Sequence, residues 1–462
     1  MMLQKAMPLK TIPLYYIISP FQRFFKKLAT GGFILFCTTV VAMFWANFHL
    51  EGYQHLWHMP LSISLGNLSF TKSVLHWIDE ALMTLFFFVV GLEIKREILI
   101  GELSSARKAL LPVAGALGGM MMPALIYTAI NGNSDAAHGW GIPMATDIAF
   151  ALAVLSFLSR RIPFGVRIFL SALAIADDIG AVLIIALFYT STIHWAYLGF
   201  AAFLLVCLAC ANLLWIRHTL IYALLGLGIW WAFLGAGIHA TAAGVIVALF
   251  IPARGKYDTD TFVKKVEAFL ARFDCRDGKC GHTILLNQPH LNAVQAIELA
   301  CHNTETPLQR LEHGLSAWIS YLIVPLFALA NAGVAIRADS LADTMQHHAT
   351  MGVILALVIG KPAGITLFTF LASKLLKAPL SGGVTWLHII GAGMLGGIGF
   401  TMSIFISGLS FQSTELIDMT KIGIIIGSLI SAILGIGILL FADALTRNQS
   451  KTGTEGKRAV SV

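Results

Sequence analysis

The sequence predicts an all-α polytopic membrane protein of about 12 transmembrane helices, and three observations carry that expectation. Only 12% of its 462 residues are charged and 57% are hydrophobic, whereas soluble domains average roughly 25% charged. Apolar runs of about 20 residues recur along the chain, the length a helix needs to cross a bilayer core. The basic residues between those runs fall almost entirely on alternate loops. The runs are too long and too uniformly apolar for barrel strands, which leaves helices as the way to satisfy the backbone in lipid.

Taken in order, the spans fall at 29–49, 73–94, 109–131, 139–158, 164–189, 195–216, 219–234, 237–251, 314–335, 351–373, 388–410 and 421–441. Several are short for a straight crossing at about 1.5 Å per residue. Of the 31 lysines and arginines, 27 lie on one side, in the arm 1–28, the loop 252–312, the tail 442–462 and the short connections between them. The other side holds Lys72, Arg337 and Lys421, and Lys361 sits mid-membrane. The positive-inside rule then makes both termini cytoplasmic. The net charge of +7 follows this topology, which removes a nucleic-acid partner and leaves the lipid bilayer as the surrounding one. The basic arm lacks a small-residue cleavage site and reads as a cytoplasmic segment, not a cleaved signal.

Two polar stretches interrupt the pattern. In 61–71, Leu61, Ile63 and Leu65 alternate with polar residues, as do Leu68 and Phe70, around a Gly66-Asn67 turn signal; this predicts an external β-hairpin. A two-stranded ribbon is marginal alone in water, so it is expected either to pair with a second copy across a homodimer or to lie on its own protomer. The loop 252–312, between the eight spans of 29–251 and the four of 313–441, carries an amphipathic stretch (Phe262 to Phe273) and a second helical stretch (Leu291 to Cys301). Cys275, Cys280, His282 and Cys301-His302 do not follow a standard zinc spacing, and ordinary reduced thiols are the simpler reading.

Chemistry is expected where charge enters lipid. Asp147, Asp177, Asp178 and Lys361 stand deep in spans, at about 2.5–3.5 kcal/mol each on the insertion scale. A structural ion pair would account for two and leave two carboxylates. Asp177 and Asp178 are adjacent in one helix, about 100° apart, so they face different neighbours while lining one cavity. Close carboxylates shielded from water do not both ionise easily and titrate as a pair. Such a pair holds protons until a cation replaces them, and hard oxygen ligands suit sodium or lithium. No cofactor is called for beyond the ions themselves. Pro143 interrupts the span before Asp147, and 391–399 holds five glycines in nine residues. Interrupted spans in two halves point to crossing broken helices. Their paired ends call for an acid near N-termini and a base near C-termini; Asp147 and Lys361 are the candidates, with Thr146 adding a hydroxyl. Lys361 could instead pair with Asp177, and the residues leave both roles open.

At these positions the chain resembles the NhaA-type sodium/proton antiporters of bacterial inner membranes, a family in which broken helices cross at the midplane. The resemblance rests on Ala-Thr-Asp-Ile-Ala-Phe-Ala-Leu (145–152), Leu-Ala-Ile-Ala-Asp-Asp-Ile-Gly-Ala (173–181), Ile-Gly-Lys-Pro (359–362) and Gly-Ile-Gly-Phe-Thr-Met-Ser-Ile-Phe (397–405), with further segments at 81–97, 237–245 and 325–334. It implies inverted three-helix repeats, expulsion of sodium or lithium against protons with activation at alkaline pH, and ion and proton binding at Asp177 and Asp178; with one net positive charge moved inward per cycle the exchange is electrogenic as well as pH-regulated. It places Asp147 and Lys361 at the broken-helix crossing, and a pH response at Glu93, Glu312 and His313, with His239 shaping the profile. The chain departs from the family at Glu80, usually aspartate, and at Ser316, where histidine is common. A sodium-coupled solute symporter is the nearest rival, yet no polar substrate pocket is evident. An intramembrane aspartyl protease would need its two aspartates on separate helices.

Overall fold

The structure, a computed structural model, describes residues 14–65, 68–158, 161–190, 193–271, 288–336, 338–377, 380 and 383–459. It is a helical polytopic membrane protein. Among the described residues ten helices are long and apolar enough to span a bilayer, and the bent pair Trp386–Gly396 and Phe400–Ser410, taken as one span, makes an eleventh. The shorter apolar helix Ala240–Phe250 lies at the expected eighth position. The chain divides into two compact units.

The first unit comprises 1–79, 102–185 and 320–462. Its centre is the close pairing of Ala106–Asn131 with His348–Leu375, which glycine permits. A Cβ on Gly118 or on Gly364 would run into the backbone carbonyl of the other, the small-residue contact that lets membrane helices approach. Within the second of these spans, Ala356–Gly360 is a π turn. Pro362 has no N–H to donate, and the Lys361 N–H reaches back five residues to Ala356. π turns recur at functional sites because they re-aim the next side chain.

Two spans of this unit are broken. The first runs as a 3-10 helix over Ala137–Met144, becomes extended at Ala145 and Asp147, and resumes as Ile148–Phe157. The second bends by 45° between Gly396 and Phe400. The breaks touch: the Asp147 N–H donates to the Ile398 carbonyl at 2.7 Å. A Cβ on Gly399 would sit 3.2 Å from the Ala145 carbonyl, and one on Gly397 would press on the Leu357 carbonyl at 2.5 Å. Glycine at the second break thus leaves room for the first break at Gly399 and for the π turn at Gly397.

The same unit carries the hairpin. Pro60–Leu65 pairs antiparallel with Leu68–Ser73, in a register that sets Ser62 opposite Thr71 and Leu65 opposite Leu68. The Gly66-Asn67 turn lies outside the described residues. Ser62 and Thr71 share a hydroxyl hydrogen bond at 2.8 Å, and the Trp77 indole donates to the Leu61 carbonyl.

The second unit comprises 80–101 and 186–319. Val74–Ile100, largely in this unit, packs on Ala240–Phe250 through Gly91 and Gly244, where a Cβ would meet Val245 and the Thr84 backbone. The polar loop contributes Thr259–Leu270, whose Asp258 cap accepts the Thr261 N–H at 3.0 Å; hydrogen bonding from the Thr261 side chain, and then from its backbone, holds the Asp258 carboxyl below its usual range. A second loop helix is Gln288–Thr304. The next helix begins at Pro307, behind a Thr306 cap, so Glu312 and His313 lie inside it. Hydropathy alone starts this span later, because its first two turns are polar. Cys275, Cys280 and His282 lie outside the described residues, and Cys301 is an exposed thiol.

Candidate functional site

The site grows from the middle of Phe164–Phe188. Small and aliphatic residues ahead of it, Ala172, Leu173, Ala174 and Ile175, are buried, and they carry Asp177 and Asp178 into the interior at 1% and 2% exposure. The π turn of the neighbouring span delivers Lys361, which is fully buried. Its ammonium donates to Asp177 Oδ2 at 2.8 Å and also to the Met144 carbonyl. Thr146, released from helical geometry by the first break, sets its hydroxyl 2.6 Å from the same Asp177 oxygen and 2.9 Å from the Gly396 carbonyl. One hydroxyl hydrogen serves one acceptor at a time, so Thr146 can switch between the carboxylate and the backbone.

Met144 and Gly396 are the last residues of the two half-helices that run into the crossing. Their carbonyls are the negative ends of those helices. Lys361 answers one and Thr146 the other. The two roles left open for Lys361 are therefore held together: it pairs with Asp177 and it offsets a helix terminus.

Asp147 does the converse. Its Oδ1 accepts the Phe150 N–H at 2.9 Å as the cap of Ile148–Phe157. Its Oδ2 accepts the Thr401 N–H at 3.0 Å and the Thr401 hydroxyl at 2.5 Å, in the first turn of Phe400–Ser410. One carboxylate thus serves two helix N-termini, where negative charge is favoured. Ser428 adds a hydroxyl that accepts the Gly399 and Phe400 N–H groups. Neither Thr401 nor Ser428 stands out in the sequence alone; Thr401 lies two residues after Gly399, and that closeness to the glycine break is the available signal. Thr401→Val should cost about 1–3 kcal/mol, by leaving the Asp147 carboxylate a hydrogen bond short in a buried site. Thermal unfolding in detergent reads this, with Thr401→Ser holding near wild type; equal midpoints for all three proteins would contradict the capping role.

Asp177 Oδ1 accepts no hydrogen bond from any described residue although it is buried. A carboxylate oxygen with its lone pairs open, beside a second buried aspartate, is a fitting donor set for a hard monovalent cation or a proton.

The other singled-out residues gather in the second unit. Arg96 lies 3.6 Å from Glu93 and 3.2 Å from Glu97, and makes its closest ion pair with Glu312. Glu93, Arg96 and Glu97 share one helix face by their spacing, while Glu312 comes from the Pro307–Trp318 helix. The sequence singles out Glu93 and Glu312, and Arg96 is the cation that brings them together. His313 beside Glu312 is exposed. His239 Nε2 lies 2.6 Å from the Tyr189 carbonyl and its Nδ1 3.9 Å from Glu80.

Crossed discontinuous helices, with their ends offset by buried charge next to a carboxylate pair, define a secondary transporter. The profile of the Na+/H+ antiporter 1 family matches residues 22–439, and the chain belongs to that family. It is 44% identical over 441 residues to the Na(+)/H(+) antiporter NhaA 1 of Saccharophagus degradans, covering 95% of this chain and 94% of that protein. It is 45% identical over 441 residues to the Na(+)/H(+) antiporter NhaA of Koribacter versatilis, covering 94% of each. The Na(+)/H(+) antiporter NhaA of Helicobacter pylori strain G27 is 45% identical over 425 residues, which is 91% of this chain and 95% of the relative.

Proposed function

We propose that this protein expels Na+, or Li+, from the cytoplasm in exchange for H+ at the Asp177–Asp178 pair, by alternating access across a bacterial inner membrane. The observation that carries the reading is the buried Asp177 carboxylate, with one oxygen held by Lys361 and Thr146 and the other open. At raised pH on the cytoplasmic side the pair gives up its protons and takes Na+. The ion competes with Lys361 for Asp177, and Thr146 can return to the Gly396 carbonyl as it does so. Rearrangement at the broken-helix crossing then opens the site outward, where protons displace the ion. The crossing suits such a step because its segments are joined by a few hydrogen bonds and not by continuous helix.

If each cycle moves one net positive charge inward, a membrane potential of about 100 mV supplies about 2.3 kcal/mol. That sustains a roughly 50-fold sodium gradient, since about 1.36 kcal/mol is tenfold. In proteoliposomes, sodium-induced proton flux should rise with pH and accelerate when the potential drives positive charge inward. Flux indifferent to voltage would remove the electrogenic part of the proposal.

The carboxylates around Arg96 are proposed to set the pH response. Glu312→Gln should move the pH midpoint of transport by on the order of one unit while leaving the rate at its new optimum near wild type. An unmoved profile would assign these residues to structure alone. The charge partition supports cytoplasmic termini, and the two-stranded extent of the 60–73 ribbon, marginal by itself in water, supports its pairing with a second copy in a homodimer. Deleting 61–71 should convert a dimer to a monomer by light scattering, with transport surviving.

A further inference from the structure

The half-helix Trp386–Gly396 ends on the carbonyl that Thr146 meets, and its other end carries a buried histidine. His388, in the first turn, is 0% exposed. Its Nδ1 accepts the N–H of Thr385, the residue that caps this helix, at 3.2 Å. The Thr385 hydroxyl lies 2.8 Å from the same nitrogen. A backbone N–H can only donate, so Nδ1 carries no proton and the ring is the neutral tautomer protonated at Nε2. That Nε2 is buried and meets no hydrogen-bond partner among the described residues. The span Thr414–Thr446 packs along the half-helix, with Leu439 against Gly391 and Leu395 against Gly435. It brings Asp443 into electrostatic reach of the His388 ring. From the helix Lys361–Leu375, Phe370 meets the Trp386 ring at 5.3 Å and Lys374 lies 5.9 Å from the Phe370 ring. Among the described residues Asp443 is the charged group that acts on the ring directly.

An imidazolium donates through both nitrogens. A proton on Nδ1 would set it donor to donor against the Thr385 N–H, so the cap and the charge exclude each other. Asp443 then serves the imidazolium as a counter-charge, and the ring is not left charged and alone. Histidine is also the side chain whose ordinary pKa, about 6.5, lies where cytoplasmic pH varies. Losing an N-terminal cap shifts a helix equilibrium by roughly fivefold, and this half-helix is only 11 residues long. Its far end is the Gly396 carbonyl, which competes with Asp177 for the Thr146 hydroxyl. We infer that His388 is a positioning residue for the exchange: its neutral ring caps the half-helix that sets the Gly396 carbonyl, and a proton on the ring opens the cap and slows transport. The inference rests on the exchange reading above. On the orientation proposed there this cap faces the cytoplasm, and it acts apart from the carboxylates around Arg96.

The test compares wild type, His388→Gln and His388→Leu in proteoliposomes, by sodium-driven proton flux from acid to alkaline pH. Glutamine in the first turn accepts the cap N–H as histidine does but takes no proton, and leucine accepts nothing. In alkali His388→Gln should match wild type within about twofold, and in acid it should exceed wild type about fivefold. His388→Leu should run about fivefold below wild type in alkali, where the native cap is closed. A ratio of His388→Gln to wild type that stays constant over the whole range is what a purely structural histidine gives, and it overturns the inference. NMR of isotope-labelled histidine reads the ring itself, the signal missing from His388→Gln being that of His388. Its Nδ1 should be bare in alkali and gain a proton as transport falls. A protonated Nδ1 in alkali, or a ring that stays neutral throughout that fall, overturns the inference with the exchange reading intact. Wild type without flux at any pH would instead sink the exchange reading.

Discussion

Asp178→Asn should abolish sodium-induced proton release from everted membrane vesicles, a loss of at least about 100-fold against the wild-type response, since a charged ligand buried in lipid is replaced by a neutral one. Asparagine keeps the size of the side chain and one oxygen, but it neither binds a proton in this range nor offers a full negative charge to sodium. Asp177→Asn should fail for the same reason and carry a further consequence, because it also leaves Lys361 without its counter-charge. The two variants therefore separate the site's functions. Asp178→Asn should unfold near the wild-type temperature, while Asp177→Asn should lose stability as well. An Asp178→Asn protein that still released protons on sodium addition would move the exchange chemistry elsewhere.

Lys361→Met should lower stability by about 3–5 kcal/mol, the range seen when one member of a buried ion pair is removed and the other stays charged. The pair here is deeply enclosed, with Lys361 at 0% and Asp177 at 1% exposure, so solvent does little to relieve the stranded carboxylate. Methionine fills a similar volume, which keeps cavity formation out of the comparison. The Met144 carbonyl loses its donor at the same time. In the double variant Asp177→Asn/Lys361→Met, part of the loss should return, because no charge is then left buried alone. Thermal unfolding of the four proteins gives the coupling directly. Additive losses would mean that Lys361 acts on the helix terminus and not on Asp177.

Much of this site could be read from the order of residues, for a definite physical reason. Charge inside an apolar run is costly enough that Asp147, Asp177, Asp178 and Lys361 stand out without any knowledge of their contacts. Pro143 and the glycines at 391–399 likewise mark where helices must break. What a linear reading could not supply was which atoms meet. Thr401 and Asp147 are 254 residues apart and Lys361 and Asp177 are 184 apart, and no local pattern encodes such pairs. The double duty of Lys361 depends on the π turn before it, a register change with no clear sequence sign beyond the proline that follows. The Arg96 cluster was half visible for a similar reason. The spacing of 93, 96 and 97 gives one helix face, but Glu312 arrives from a helix whose polar first turns make it look like loop.

Competition between protons and an alkali ion for one buried carboxylate pair is most directly tested by equilibrium binding of radiolabelled sodium to the purified protein over a range of pH. If each ion bound displaces two protons, as one net charge inward per cycle requires, apparent affinity should weaken about 100-fold for each unit of acidification once both carboxyls are protonated. Sodium added to weakly buffered protein should then release protons, and Asp178→Asn should show neither effect. Sodium bound equally well in acid and in base, with no proton released, would contradict exchange at Asp177 and Asp178.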